Sequence, residues 1–157
     1  MQTADAEAVL AIQHAAYPPP FHESWAVLGA KRALHPAGCW VAEAAGQPCA
    51  YLFSHPGRLD QPAALHGAQA ALPDAPDCYY LHDLAIHPAH QGTGLGRALR
   101  ECAVAQARAA GFTRLALVAV QGSRRFWERQ GFGPLPLTDA GRLQAYGPDA
   151  LAMVCRL

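Results

Sequence analysis

The sequence has little net charge and lacks a long apolar run. Twelve basic and twelve acidic residues balance to a formal net charge of zero, so a surface that attracts nucleic acid or anionic lipid is not expected. No apolar stretch reaches the ~20 residues of a membrane-spanning helix, and the N-terminus lacks a signal-peptide pattern. These absences predict a cytoplasmic protein that binds neither nucleic acid nor a membrane.

Paired cysteines and metal-ligand clusters are also missing. The five cysteines are odd in number, scattered and without Cys-x-x-Cys spacing, which favours reduced thiols over a disulfide framework. His87 and His90 form a His-x-x-His pair near His82, but only imidazoles converge and Pro88 breaks any helix that would align them. We therefore predict no metal site. Lys31 is the only lysine, which we interpret, together with the abundant alanine, as genome bias.

Apolar residues, by contrast, make up 52% of the 157 residues. This content is typical of a globular protein, and the length suits one domain over residues 1–157 with a core of its own. No internal repeat or linker divides the chain.

The most informative segment runs from residue 79 to residue 96. Tyr79–His87 is a nearly uninterrupted apolar and aromatic run, typical of a buried strand. Pro88 ends it, and the glycine-rich Gln91–Gly96 leads into an amphipathic helix. A strand, a glycine loop and a helix N-terminus present free backbone N–H groups to a phosphate. The dinucleotide pattern Gly-x-Gly-x-x-Gly and the Walker pattern both fail here.

Hydrophobic periodicity and turn residues predict the remaining elements. The predicted helices are Asp5–Tyr17, Ser24–Leu34, Leu95–Ala110 and Gly122–Gln130, and the predicted strands are Cys39–Ala44, Cys49–Ser54, Thr113–Val120 and a last hairpin of Leu143–Tyr146 and Ala150–Leu157. His55–Cys78 is predicted to be a long functional or mobile loop with one helical turn near Ala63–Ala71. This order predicts a mixed sheet with helices on both faces and one right-handed parallel crossover, from Tyr79 to Val120.

The glycine loop and two later blocks resemble one known family. Gln91, Gly94 and Gly96 fit Gln-x-x-Gly-x-Gly, which resembles the acetyl-CoA signature of the GNAT family of N-acetyltransferases. The block 126–132 resembles the family's Phe-Tyr-x-x-x-Gly-Phe element at the expected distance. Residues 146–150, followed by Met153, resemble the closing hairpin of many members.

The resemblance covers nearly the whole chain and implies both fold and activity. The implied fold is α/β (α+β), with a mixed, mostly antiparallel sheet whose central parallel strand pair splays apart and with helices on both faces. The implied reaction is transfer of an acetyl group from acetyl-CoA to a primary amine, by direct attack in a ternary complex. The residues implied for acetyl-CoA binding lie at the splay, in the glycine loop and on the following helix: Leu84, Ala85, Ile86, Gln91, Gly92, Thr93, Gly94, Leu95, Gly96, Arg97, Ser123, Phe126 and Trp127.

His82 is the predicted general base. An amine must lose its proton before it attacks, and an imidazole titrates near the working pH, at roughly 6.5. Residues 81–87 are also similar to a strand of arylalkylamine N-acetyltransferases, in which the matching histidine belongs to the proton-removal path. A histidine satisfied inside the core is the alternative, and Asp83 is the second candidate. Strand alternation puts Tyr80, Leu84 and Ile86 on the face of His82 and Asp83 on the other, so no His82–Asp83 dyad is expected.

Several groups are candidates for protonating the leaving thiolate. Trp127 occupies the family's tyrosine position, and its indole N–H is not a usable acid near neutral pH. Ser123, one helical turn earlier, could donate to the sulfur or position a water, or act as an ordinary helix cap. A thiol of pKa near 8.5 can also leave without a protein acid.

The acceptor pocket is expected between Pro18–Trp25, the long loop and the closing hairpin. Phe21, Trp25 and Tyr80 are the predicted substrate-binding residues, with Glu23 and Asp77 as amine anchors. An aromatic, weakly acidic pocket suits a small hydrophobic or aromatic amine. A protein N-terminus or lysine as acceptor stays open, as does a catalytically silent acyl-CoA-binding or sensing module.

The family usually opens with a strand, but only Met1–Ala4 precedes the first predicted helix. Either that strand is a stub or the chain has been shortened. An unpaired sheet edge favours pairing with another chain, so a homodimer is a further expectation.

Overall fold

The structure is a computed structural model that describes residues 1–67 and 70–157. Four α-helices flank one sheet of six strands in this part of the chain. The helices are α1 (Ala6–Ala16), α2 (Trp25–Leu34), α3 (Leu95–Ala109) and α4 (Arg124–Arg129), and the strands are β1 (Cys39–Ala44), β2 (Gln47–Gly57), β3 (Cys78–Ile86), β4 (Arg114–Ala119), β5 (Gly133–Pro134) and β6 (Leu151–Arg156). None of the helices described is long and apolar enough to span a membrane.

Local sequence signals account for the helix boundaries. The prolines after Tyr17 stop α1, and the Ser24 hydroxyl caps α2 by accepting the Val27 N–H at 3.4 Å. α3 begins after Gly94 and ends before Gly111, with φ values of +89° and +81° in the left-handed region that glycine favours. The predicted helices are therefore present within a few residues of their expected ends.

The sheet has the strand order β1-β2-β3-β4-β6-β5. Its neighbours pair antiparallel except β3 and β4, which are parallel. This arrangement confirms the predicted mixed, mostly antiparallel sheet with a central parallel pair. β1 forms one edge and pairs with no strand on its outer side among the described residues, where the Met1 ammonium donates to the Cys39 carbonyl at 3.1 Å. The homodimer stays a prediction.

The central pair separates because β3 carries one extra residue. Phe53 of β2 lies opposite Asp83 and Ser54 lies opposite Leu81, so His82 is the unpaired residue of a β-bulge. A bulged strand bends locally. Pairing between β3 and β4 accordingly stops at Leu81 and Leu117, although β3 continues to Ile86. The predicted splay is thus confirmed and begins at His82.

The bulge also changes which side chains share a face. The residues of β3 that pack under α3 are Tyr79, Leu81, Leu84 and Ile86. His82 and Asp83 both lie on the opposite face, where His82 contacts Glu23 and Asp83 contacts Tyr17 and Tyr51. The expected alternation, with Leu84 beside His82 and Asp83 opposite, is therefore wrong, because the extra residue shifts the two-residue period.

Two further predictions differ from the structure. The predicted strand Leu143–Tyr146 lies in a 3₁₀ helix, Ala140–Tyr146, because the edge of β6 is instead paired by β5 and by the Leu135 N–H, which donates to Ala152 O at 2.8 Å. Of the helical turn predicted for 63–71, residues 68 and 69 lie outside the described residues, and the others contain only a turn at 65–66.

Candidate active site

A cavity of about 580 Å³ opens where β3 and β4 separate. One group of its lining residues comes from the end of β3, the glycine loop and α4: Leu84, Ala85, Ile86, Gln91, Gly92, Gly94, Leu95, Gly96, Arg97, Ser123, Phe126 and Trp127. A second group surrounds the bulge and includes Ala16, Tyr17, Phe21, Glu23, Leu65, His82, Asp83 and Tyr146. The gap in the sheet therefore joins the glycine loop and the predicted base in one cavity.

The glycine loop is shaped for close approach of a ligand to its backbone. Gly92 and Gly94 have φ values of +79° and +89°, and a Cβ on either would meet no atom within 4 Å. The N–H groups of the first turn of α3 lack intrahelical partners, and the helix dipole adds positive potential there. Thr93 does not line the cavity, and its hydroxyl donates to His90 O at 2.6 Å. The loop fits the phosphates of a coenzyme A ester.

Gly96 has a different role, because it allows close packing beneath the loop. A Cβ at this position would lie 3.0 Å from Phe126 Cζ and 3.2 Å from Ile86 Cδ1. The first turn of α3 thus rests directly against α4 and β3, which fixes the loop relative to the gap in the sheet.

The backbone of β3 faces the gap beyond the bulge. His87 N donates to Cys49 O on β2 at 2.8 Å, so strand alternation turns the polar groups of Leu84 and Ile86 away from β2 and into the cavity. The Leu84 carbonyl accepts the Tyr17 hydroxyl at 2.6 Å. The polar backbone of Ile86 is the part of this segment best placed for a ligand.

Around His82 lies a buried ionic cluster drawn from three parts of the chain. Lys31 Nζ is 2.7 Å from Glu23 Oε1 and 2.6 Å from His82 Nε2, and His82 Nε2 is 2.9 Å from Glu23 Oε2. The three side chains are 1–2% exposed. Burial raises the pKa of Glu23, but its hydrogen bonds and proximity to His82 and Lys31 outweigh this and lower the pKa to about 2. Burial lowers the pKa of Lys31, against the opposing effect of Glu23.

Asp83 belongs to a separate hydrogen-bond network on the same face. Its Oδ1 lies 2.9 Å from the Tyr17 hydroxyl, and its Oδ2 accepts the Tyr51 hydroxyl at 2.7 Å. Burial raises the pKa of Asp83, against the opposing effects of its neighbour His82 and of these hydrogen bonds. The Tyr17 hydroxyl thus lies within hydrogen-bond distance of two acceptors, Asp83 Oδ1 and the Leu84 carbonyl.

Ser123 stands between β4 and α4 at the cavity wall. Its Oγ accepts the Val120 N–H at 3.2 Å, and no hydrogen bond within residues 1–67 and 70–157 uses its hydroxyl hydrogen. Trp127 is buried and packs edge-on against Phe126 and Phe132, with ring centroids 4.9 and 5.3 Å away. The hydroxyl of Ser123 is therefore free to donate into the cavity, whereas Trp127 mainly forms its wall.

Three residues predicted for the acceptor lie outside this cavity. Trp25 packs over Gly29 on α2. Tyr80 lies against the ring of His55, at 5.7 Å between centroids. Asp77 accepts the Leu59 N–H at 2.8 Å. Phe21 and Glu23 do line the cavity.

The sequence reasoning missed Lys31 and the site role of Tyr146. Lys31 follows Leu28 by three residues and so lies on the buried face of α2, a position that could have marked it as functional. Tyr146 lines the cavity, and its hydroxyl donates to the Ala63 carbonyl. Neither contact has a local sequence signal, because the partners are distant in the chain. Across the described residues, no three metal-ligating side chains converge.

Comparison with known proteins gives a family match over most of the chain. The sequence model of the acetyltransferase (GNAT) family matches residues 6–132. No curated protein matches in sequence.

Several solved structures have the same fold at low sequence identity. The loading GNATL domain of CurA from Lyngbya majuscula superposes with a TM-score of 0.80 at 13% identity, covering 99% of this chain and 94% of that one. The GphF GNAT-like decarboxylase in complex with isobutyryl-CoA superposes with a TM-score of 0.69 at 22% identity, covering 99% of this chain and 96% of that one. The ribosomal-protein-S18-alanine N-acetyltransferase from Escherichia coli superposes with a TM-score of 0.68 at 20% identity, covering 99% of this chain and 90% of that one.

Proposed function

Since the chain belongs to the GNAT acetyltransferase family, we propose that it transfers the acetyl group of acetyl-CoA to the amine of a small molecule. The proposal includes direct attack of the amine in a ternary complex. The observation that carries it is that one cavity is lined both by the glycine loop and by His82 with its partner Glu23. A loop for a phosphate and a proton acceptor in one space are what acyl transfer to an amine requires.

Binding of the acyl donor is assigned to the glycine loop, the end of β3 and α4. The N–H groups at the start of α3 face the pyrophosphate, and Gln91 can add an uncharged hydrogen bond. The polar backbone of Ile86 pairs with the pantetheine amides or polarises the thioester carbonyl. Phe126 and Trp127 supply the apolar wall of the same space.

Deprotonation of the acceptor is assigned to His82. The ammonium form of the acceptor gives its proton to the imidazole, and the freed lone pair then forms the C–N bond as the C–S bond breaks. Asp83 is kept as the second candidate, and its two carboxylate oxygens are hydrogen-bonded to Tyr17 and Tyr51. Ser123 is assigned to the leaving sulfur, as a donor of a hydrogen bond rather than as an acid.

The acceptor side of the cavity favours a small, partly apolar amine. Its walls include the rings of Tyr17, Phe21 and Tyr146. The adjoining loop is held over it by hydrogen bonds from His66 N to Glu23 Oε1 at 2.7 Å and between the His66 ring and Pro20 O at 2.8 Å. A closed wall of this kind suits a compact molecule better than an extended protein segment.

The test is calorimetric binding of acetyl-CoA followed by an assay of free CoA thiol over a panel of amines and N-terminal peptides. We expect binding, and release of CoA that depends on a small amine. Binding without release from any acceptor would favour the silent sensing module, release with peptides alone would favour a protein acceptor, and absence of binding would refute the assignment of the loop.

A variant pair tests the base. His82→Ala should lower kcat/KM at neutral pH by about 10²–10⁴-fold with acetyl-CoA affinity retained. His14→Ala, on the exposed side of α1, is the matched control and should change neither quantity. An unchanged rate and pH profile in His82→Ala would exclude His82 as the base.

A further inference from the structure

In the cluster of Glu23, Lys31 and His82, the two charged side chains favour opposite protonation states of one nitrogen, His82 Nε2. Lys31 Nζ lies 2.6 Å and Glu23 Oε2 lies 2.9 Å from His82 Nε2. An ammonium donates to an unprotonated Nε2, whereas a carboxylate accepts from a protonated one. Nε2 can therefore satisfy one neighbour at a time. When His82 gains a proton at this atom, its hydrogen-bond partner must change from Lys31 to Glu23.

We propose that Lys31 is a positioning residue for acetyl transfer, which keeps His82 unprotonated and ready to accept the proton of the amine. The inference rests on the proposed function and deepens it. Lys31 does not line the cavity, so it acts through His82 rather than on a substrate. Glu23 holds the ammonium in place through Oε1, at 2.7 Å, and offers Oε2 to the imidazole once it is protonated.

The cluster is enclosed by groups from every neighbouring element. From β2, the His55 ring centroid lies 6.3 Å from that of His82, and burial lowers the pKa of His55 to about 4, so this ring is neutral near pH 7. From β3, Asp83 is bonded to Tyr17 of α1 and Tyr51 of β2.

The 3₁₀ segment and the long loop complete the enclosure. Burial raises the pKa of Tyr146, whose phenol is neutral. The long loop contributes the His66 N–H to Glu23. Within the described residues, Lys31 and Glu23 are thus the two oppositely charged side chains in direct contact with His82.

These two charges should move the protonation of His82 in opposite directions. Removing the Lys31 ammonium leaves the Glu23 carboxylate alone beside the imidazole, so protonation becomes easier. Removing the carboxylate leaves the ammonium alone, so protonation becomes harder. Each of these two substitutions should therefore shift the pH dependence of the rate, and the two shifts should have opposite signs.

The experiment measures kcat/KM against pH, from about pH 5 to about pH 9, with the best amine of the panel. The acid limb of this profile is the part at low pH, where the rate rises as the base loses its proton. Lys31→Met should move the acid limb to higher pH, and Glu23→Gln should move it to lower pH. The double variant removes both charges and should return the limb toward the wild-type position. Lys31→Arg keeps the positive charge, so its acid limb should stay at the wild-type position.

The matched control is Arg32→Met. It removes a cation from the next position of α2, and the Arg32 side chain donates to Met1 O at 3.3 Å rather than to the cluster. The acid limb of this variant should coincide with that of the wild type. A shift equal to that of Lys31→Met would mean that any cation of α2 has the same effect, and would overturn the specific role of Lys31.

If Lys31→Met lowers kcat/KM but leaves the acid limb of the pH profile at its wild-type position, Lys31 has only a structural role. That result would overturn the inference. If Lys31→Met does not fold, the comparison of Glu23→Gln with the double variant decides, because the inference requires their limbs to differ. A wild-type protein that releases no CoA with any acceptor would instead refute the proposed function itself. If the wild type is active and the acid limb is the same with and without the Lys31 ammonium, this inference alone is refuted.

Discussion

Acid should destabilise this protein through Glu23, a buried carboxylate in the described cluster. Burial alone raises the pKa of Glu23, but its contacts with His82 and Lys31 lower it from 4.5 to about 2. Because the folded-state pKa lies below the unfolded one, the stabilisation is fully present above about pH 4.5 and is lost as the pH falls through about 2.

The magnitude follows from the size of the pKa difference. A difference of about 2.5 units corresponds to about 3 kcal/mol at 1.36 kcal/mol per unit. This is a large share of the 5–15 kcal/mol, roughly, by which a domain of this kind is stable. Between the two pKa values, the free energy of unfolding should change by about 1.4 kcal/mol per pH unit on account of this one group.

The assay is urea unfolding followed by tryptophan fluorescence, at several pH values between about 3 and about 7. Glu23→Gln is the reference, because glutamine has nearly the same shape and does not titrate. Subtracting its unfolding free energy removes the contribution of all other acidic groups. The wild-type curve should fall more steeply below about pH 4.5 by about 1.4 kcal/mol per unit. Parallel curves in this range would refute the reasoning.

Two further substitutions test the packing around the cavity. Gly96→Ala should weaken acetyl-CoA binding by about tenfold, or ~1.4 kcal/mol, because its Cβ would lie 3.0 Å from Phe126 and 3.2 Å from Ile86. Calorimetry would measure this, with Gly133→Ala as the control, since a Cβ there meets no atom within 4 Å; equal affinities would contradict the prediction. Tyr51→Phe removes a donor at 2.7 Å from buried Asp83, and should lower the free energy of unfolding in urea by about 1–3 kcal/mol. An unchanged urea midpoint would show that Asp83 does not need this bond.

Local patterns were enough to predict most elements and the glycine loop. The loop follows from Gly94 and Pro88, whose backbone preferences act within a few residues. A short segment such as Leu143–Tyr146 is different, because it fits a strand or a 3₁₀ helix equally well and its neighbours decide. The sequence therefore predicts the fold more reliably than the connections near its end.

The arrangement around His82 could not be predicted from the sequence for a physical reason. A bulge is a property of the register between two strands, and neither β2 nor β3 carries a local mark of it. The ionic cluster likewise joins residues separated by 8 and 51 positions. Residue types suggested a base, but the partners that set its protonation depend on tertiary contacts.

The burial of Lys31 has a practical consequence for work with this protein. It is the only lysine of the chain and is 3% exposed, so the folded surface offers no lysine amine to acylating reagents or crosslinkers. Under the proposed function, one folded copy therefore has no accessible lysine for another copy to acetylate. Any acetyl-lysine formed in a mixture with candidate proteins must therefore lie on the added protein, which makes screening for protein acceptors free of that background.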